Sequence, residues 1–224
     1  MINADVKQEN IVARVRLENL SYDVLIEGAV KSIYNAQSLC DEAEILHGNG
    51  KYPRAYALSH FAREEFGKCM MLYRAAIEVA TGIDIDWKKL SKRFRDHKQK
   101  ITNDRAISMM LFGGMDFDGG PLEWKDFFAG IDFTNDRKNS CLYVDLVDGQ
   151  FTAPIEVISE DLSRRNLDLA VFRIAKLTPM LTKLNEVHQT PKESLQKIYP
   201  RDFVENPEAF IEHFMKARRK GTTA

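Results

Sequence analysis

Residues 53–80 read PRAYALSHFAREEFGKCMMLYRAAIEVA. Pro53 stands at the start of this run and Gly82 just past its end, the places where helices begin and stop. Leu58, Ala62, Cys69, Leu72 and Ala76 recur at helical spacing, so the segment predicts one long helix with an apolar stripe. Such a stripe must be buried against other elements. The stretch before it supplies one. From Ser21 to His47, Leu25, Ala29, Ala36, Leu39, Cys40 and Ala43 repeat the pattern, and Ser21 suits an N-cap. Gly48-Asn49-Gly50 then turns the chain, and so short a connection makes the two helices antiparallel neighbours.

Downstream, Asp86 to Leu111 predicts a third helix with Leu90, Phe94, Ile101 and Ser108 on one face. Gly113-Gly114 and Gly119-Gly120-Pro121 break it. Residues 112–158 read as an irregular insert rich in Gly, Asp and aromatics. Within it, Leu142–Val147 and Gln150–Ala153 flank Asp148-Gly149, a hairpin turn signal. Ser159 to Val187 predicts a further amphipathic helix, with Ser159 as N-cap and a stripe of Leu167, Val171, Ile174, Leu177, Leu181 and Leu184. Pro179 is expected to kink it. The fold expected is all-α: an antiparallel bundle of four to five main helices with a small β-hairpin. Residues 1–20 form an arm, 21–190 the bundle, and 191–224 short helices with a basic tail.

The chain has 224 residues, enough for one well-buried core. Lys and Arg number 32 against 33 Asp and Glu, a balance unlike a domain that coats nucleic acid without specificity. No stretch approaches the length of a membrane span, so no membrane association is expected. Met1 to Arg16 has no apolar signal region, which predicts a cytoplasmic protein. Cys40, Cys69 and Cys141 stand far apart with no CxxC and read as buried free thiols. His60 and Glu64 share a helix face, but the Glu-x-x-His repeat of di-iron bundles is missing. No metal or cofactor is expected, and no dinucleotide, P-loop, GxSxG or HExxH motif occurs.

The informative residues are polar ones on apolar faces. With Leu58 as zero and about 100° per residue, Glu65 falls near −20° and Glu64 near −120°. Glu65 is therefore expected to be buried and Glu64 exposed, with Lys68 in reach of Glu65. On the third helix His97 falls near −20° from Leu90 by the same arithmetic, with Arg93 and Lys100 at the stripe's edge. Glu65 and His97 would meet inside the bundle, ringed by cations. Two readings stand: a buried polar network that fixes helix register, or a site built on shifted titratable groups. In the insert, Arg137 and Asn139 precede Tyr143 and Asp145. That loop either binds phosphate or is a hairpin docked through Tyr143 with Arg137 and Asp145 paired at the surface.

These residues resemble the AbiV family of abortive infection proteins. The resemblance runs through Asn35-Ala36, Leu39 and Asp41-Glu42-Ala43, then Glu64-Glu65-Phe66-Gly67-Lys68, then Phe94-Arg95-Asp96-His97 with Lys100, then Arg137 with Tyr143-Val144-Asp145. It implies a bacterial phage-defence protein. The Ala-rich helix also looks like HEPN domains, many of which are metal-independent ribonucleases with an Arg-x(4–6)-His motif and sites assembled across a homodimer. Arg54 and His60 match that spacing, but about one such match is expected by chance, and Arg93 with His97 is too close. Two function classes stay open. In one, His97 is acid or base for RNA cleavage, Glu65 orients it, and Lys68, Arg93, Lys100 and Arg137 serve as cations. In the other, a non-enzymatic module binds a phage or host protein, with the aromatics of Phe112 to Phe133 as its docking surface or as a second small core.

Overall fold

The computed structural model describes residues 16–112 and 131–182, with Ser194. It is helical apart from one hairpin. The order is α1 (Tyr22–Gly48), α2 (Tyr52–Thr81), α3 (Trp87–Arg95), α4 (His97–Phe112), α5 (Ile131–Ser140), β1 (Asp145–Val147), β2 (Gln150–Thr152), α6 (Pro154–Val157) and α7 (Glu160–Thr182).

The first two helices form as their sequences predict. Ser21 caps α1, its Oγ accepting from the Val24 N–H at 3.4 Å. Leu25, Ala29, Ile33, Ala36, Cys40 and Ala43 form its buried face. Gly50, at φ +70, turns the chain into α2. Gly82, at φ +72, ends α2, with the Ile83 N–H bonded to the Glu78 carbonyl at 2.9 Å. α2 is the central element. It packs on α1, α4 and α7, and its buried residues run from Pro53 to Thr81 around most of its circumference. The small side chains Ala29, Ala36, Ala62, Cys69 and Ala76 let the helices close on one another around Phe66, Leu25 and Leu167. Leu17 and Leu20, before α1, pack on the same core, and the Ser91 hydroxyl donates to the Leu17 carbonyl at 2.8 Å. Residues 1–15 of the expected arm lie outside the described residues, as do 183–193, with Leu184 of the expected helix stripe, and 195–224.

The third helix is two helices. Asp96 leaves helical geometry at φ −81, ψ 118, and its N–H closes α3 on the Lys92 and Arg93 carbonyls. Its carboxylate then accepts from the Gln99 N–H at 3.2 Å, capping α4. The angular arithmetic from Leu90 therefore does not carry across to His97.

Residues 113–130 of the insert lie outside the described residues; its remainder, 131–158, holds more regular structure than its composition suggests. It holds α5, a polar helix with no apolar stripe of its own. Cys141, just beyond α5, packs with Tyr56, Ala57 and Ile158 in a second small core. Asp148 (φ +50) and Gly149 (φ +80) make the two-residue hairpin turn, and Leu146 pairs with Phe151 across it. The strands are shorter than the sequence pattern suggests. Phe117, Trp124, Phe127 and Phe128 lie outside the described residues, so their docking-surface and second-core readings rest there.

In α7, Ser159 Oγ accepts from the Leu162 N–H at 3.2 Å. Leu167 and Ile174 are buried as expected, but Val171 is exposed. The inward face is instead Ser163, Asn166, Leu167, Ala170, Arg173 and Ile174, half of it polar. All three cysteines are free and buried, and burial pushes each thiol up to about 12. No helix among the described residues is long and apolar enough to cross a membrane.

Candidate functional site

Glu64, not Glu65, is the buried glutamate. The Glu64 side chain is 3% exposed and that of Glu65 16%. The stripe arithmetic failed for a physical reason. It was referenced to Leu58, which is only half-buried, on a helix that is covered on nearly every side. On such a helix no single face defines inside.

Four groups converge on the Glu64 carboxylate. His97 Nδ1 lies 2.7 Å from Oε2 and Lys100 Nζ 2.8 Å from the same oxygen. Lys138 Nζ lies 3.4 Å from Oε1, and His60 Nε2 is 3.5 Å from it, an electrostatic contact rather than a hydrogen bond. Three helices supply these groups: α2 gives Glu64 and His60, the first turn of α4 gives His97 and Lys100, and α5 gives Lys138. Lys138 Nζ also stands 5.6 Å from the Phe61 ring centroid, a cation–π contact. Burial pushes the Glu64 carboxyl up. The contacts of His60, Lys100 and His97, with the charge of Lys100, more than reverse this and hold it below the usual carboxylate range.

Gly67 explains how α4 comes so near. A Cβ at Gly67 would lie 2.1 Å from the Lys100 carbonyl oxygen, so only glycine permits this crossing. The Asn103 amide donates to the Gly67 carbonyl at 3.1 Å and pins it. In Glu64-Glu65-Phe66-Gly67-Lys68, the carboxylate and the close approach are thus two parts of one junction.

His97 differs from its partners. Its side chain is 54% exposed, against 6% for Lys100 and 7% for Lys138. In the tautomer whose Nδ1–H donates to the Glu64 carboxylate, the lone pair is on Nε2. Lys100 is buried rather than at a rim, and its charge is directed at Glu64.

The other expected residues do not join this group. Glu65 pairs with Lys68, as its spacing predicts, and Lys68 lies 5.6 Å from the Phe94 ring centroid. Arg93 faces a different cleft, of about 280 Å³, with Arg74 and Glu78. Its Nη2 lies 3.5 Å from Asn103 Oδ1, and burial, with Arg74 nearby, lowers its pKa. Arg137 is half-buried beside Tyr56, whose phenol is raised by burial and partly lowered again by Arg63 and Arg137. Asn139 and Asp145 are exposed. Tyr143 is 67% exposed, so packing of Tyr143 does not dock the hairpin. His60 is fully buried while Arg54 is exposed, so the chance-level Arg-x(5)-His match forms no surface pair.

One turn further along α4 lies a second buried cluster that the sequence reading missed. Asp104 is fully buried and accepts from Arg63 Nε at 3.1 Å and Nη2 at 3.0 Å, and from Arg173 Nη1. Arg63 Nη1 donates to Asn166 Oδ1 at 2.8 Å, and the Asn166 amide donates to Ser59 Oγ at 2.6 Å. Burial lowers Arg173 to about 10; Asp104 opposes that shift and Arg63 adds to it. This cluster ties α2, α4 and α7 in register. Among the described residues, no group of three or more His, Cys, Asp or Glu is placed to hold a metal ion. At Glu64 the two ammoniums take the place a cation would need.

A family model described as AbiV, of the HEPN type, matches residues 24–174. No curated protein and no solved structure matches the chain. The matched region holds both buried clusters and the hairpin, and it covers more than half of the sequence. The chain therefore belongs to the AbiV family of HEPN proteins, a family of abortive-infection, phage-defence proteins.

Proposed function

We propose that this chain is a defence effector that cuts RNA without a metal, with His97 as its proton-transfer group. The observation that carries the reading is the 2.7 Å contact between buried Glu64 and half-exposed His97. A carboxylate on one ring nitrogen fixes the tautomer, orients the ring and stabilises the imidazolium once it forms. His97 Nε2 takes the proton from a ribose 2′-OH. The freed oxygen attacks the adjacent phosphorus, and the bond from phosphorus to the 5′-oxygen breaks. That oxygen leaves with a proton from solvent water while the His97 imidazolium returns its own proton to solvent, leaving a 2′,3′-cyclic phosphate. The Lys100 and Lys138 ammoniums both stand on the Glu64 carboxylate, and such cations beside His97 favour the negative charge that builds on the phosphorane.

The test is induced expression in a bacterial host, wild type against His97→Ala, with growth and total RNA followed together. Proton-transfer groups contribute about 10²–10⁴ in rate, so RNA decay and toxicity should vanish in a variant that keeps its circular dichroism. The alternative is a non-enzymatic module that captures a phage or host protein and blocks translation or phage development. Intact RNA with unchanged toxicity in both strains would overturn the nuclease reading and favour that module.

A further inference from the structure

Arg93 takes no part in the Glu64 junction. It lines the cleft of about 280 Å³ between the C-terminal half of α2, α3 and α4. There it approaches Asn103 Oδ1 at 3.5 Å, the outer limit of a hydrogen bond, and it makes no ion pair among the described residues. Asn103 is held in place, its amide nitrogen committed to the Gly67 carbonyl at 3.1 Å. Arg74 lines the same cleft, and its charge adds to burial in lowering the Arg93 pKa. Lys89 brings a third cation, exposed at the rim.

The carboxylates of the cleft are mostly engaged elsewhere. Glu78 accepts from Arg74 Nε at 2.8 Å, and Asp86 caps α3 on the Lys89 N–H at 2.8 Å. Two half-buried guanidiniums thus stand in one cleft with repulsion between them. A bound anion would offset both that repulsion and the burial of Arg93, and the guanidinium fork matches phosphate oxygens two at a time. The rest of the cleft is of another kind. Met71, Ile85 and Leu90 give it an apolar floor, and Asp84 stands exposed at its rim, an acceptor for hydroxyl groups. Pockets for small molecules run from about 300 to 1,000 Å³, so this one suits a metabolite rather than a polymer.

We propose that this cleft binds a nucleoside monophosphate, its phosphate on Arg93, Arg74 and Lys89, its sugar hydroxyls on Asp84 and its base on the apolar floor. An apolar surface ringed by a few converging polar groups is the usual form of a small-molecule site. The cleft is separate from the Glu64–His97 junction, and this assignment does not depend on the nuclease reading.

Equilibrium dialysis of the full-length protein against adenosine 5′-monophosphate (AMP) tests this. Binding is expected with a dissociation constant of about 100 µM or tighter, with inorganic phosphate weaker and adenosine not retained. Arg93→Gln should weaken AMP binding about 10–100-fold with unchanged circular dichroism, the worth of a charge-assisted hydrogen bond. Arg93→Lys keeps the charge but not the fork, so it should fall between the two. Lys89→Gln, on an exposed side chain, should also weaken binding, in a variant whose fold is not at stake. His97→Ala should bind AMP like the wild type. No retention of AMP up to about 1 mM overturns the proposal. So does adenosine bound as tightly as AMP, or AMP binding that Arg93→Gln and Lys89→Gln leave intact. AMP binding lost in His97→Ala but kept in Arg93→Gln would put the nucleotide at the Glu64 junction and overturn it too. A 5′-phosphorylated RNA oligonucleotide that binds through Arg93 where AMP does not would make the cleft a strand contact instead.

Discussion

Replacing Glu64 with Gln removes the charge on which Lys100 and Lys138 both close. Lys100 would then lose the carboxylate it closes on while still buried, and Lys138 would lose its contact at 3.4 Å. Removing one partner of a buried ion pair costs about 3–5 kcal/mol. Glu64→Gln should lower the unfolding free energy by that amount in a urea titration. Glu65→Gln, which breaks only a pair between neighbours on one helix, should cost under about 1 kcal/mol. Equal losses at the two positions would place the buried junction wrongly. Activity should separate them as well: Glu64→Asp keeps the charge but shortens the reach to His97, so RNA decay should slow while the fold persists. The adjacent glutamates are chemically identical, and their sequence position does not rank them. What ranks them is the direction from which α4 arrives.

At the scale of elements, the crossing of α2 and α4 depends on one missing side chain. Gly67→Ala puts a methyl group against the Lys100 carbonyl, backbone that cannot step aside without moving α4. Overpacking of this kind costs about 1–3 kcal/mol or more. Thermal melts should show that loss, with RNA decay reduced further as His97 shifts from Glu64. A melt unchanged by Gly67→Ala would mean that the helices part freely at this point. The main helices were legible from their periodicity and caps, because Ser21, Gly82, Ser159 and the Asp148-Gly149 turn act locally. The break at Asp96 was signalled too. Asp96 followed by Gln99 is a capping pattern, but the apolar spacing of Phe94 and Ile101 reads straight through it. The α5 helix was not legible, since Ile131 to Ser140 has no stripe and docks through Lys138 and the packing of Cys141. His97, Lys100 and Arg137 could be picked out as polar residues of interest. Asp104, Arg63, Arg173 and Asn166 could not, because long-range ion pairs leave no local period.

For the molecule as a whole, the buried groups set how stability depends on pH. Burial lowers the His60 pKa below its ordinary value. The unfolded chain binds a proton there near pH 6.5, and the folded one does not. The unfolded state therefore holds more protons below that pH, and stability falls as the solution is acidified. Glu64 acts in the same direction at lower pH. Its depressed carboxyl contributes full stability above the unfolded value, which is lost as acid protonates it. The urea midpoint should drop between about pH 7.5 and about pH 5.5, and His60→Gln should shrink that drop. A midpoint flat across this range would mean that His60 protonates alike in both states. Arg63 and Glu64, next to each other on α2, hold different parts of the bundle: one grips Asp104 and Asn166, the other His97, Lys100 and Lys138. One residue added or lost between His60 and Gly67 would turn everything beyond it by about 100°. Both clusters would lose their partners, and a bulkier residue would meet the α4 backbone. As descendants of this chain diverge, changes in length have room at the hairpin tip, while this stretch of α2 can change its letters but not their number.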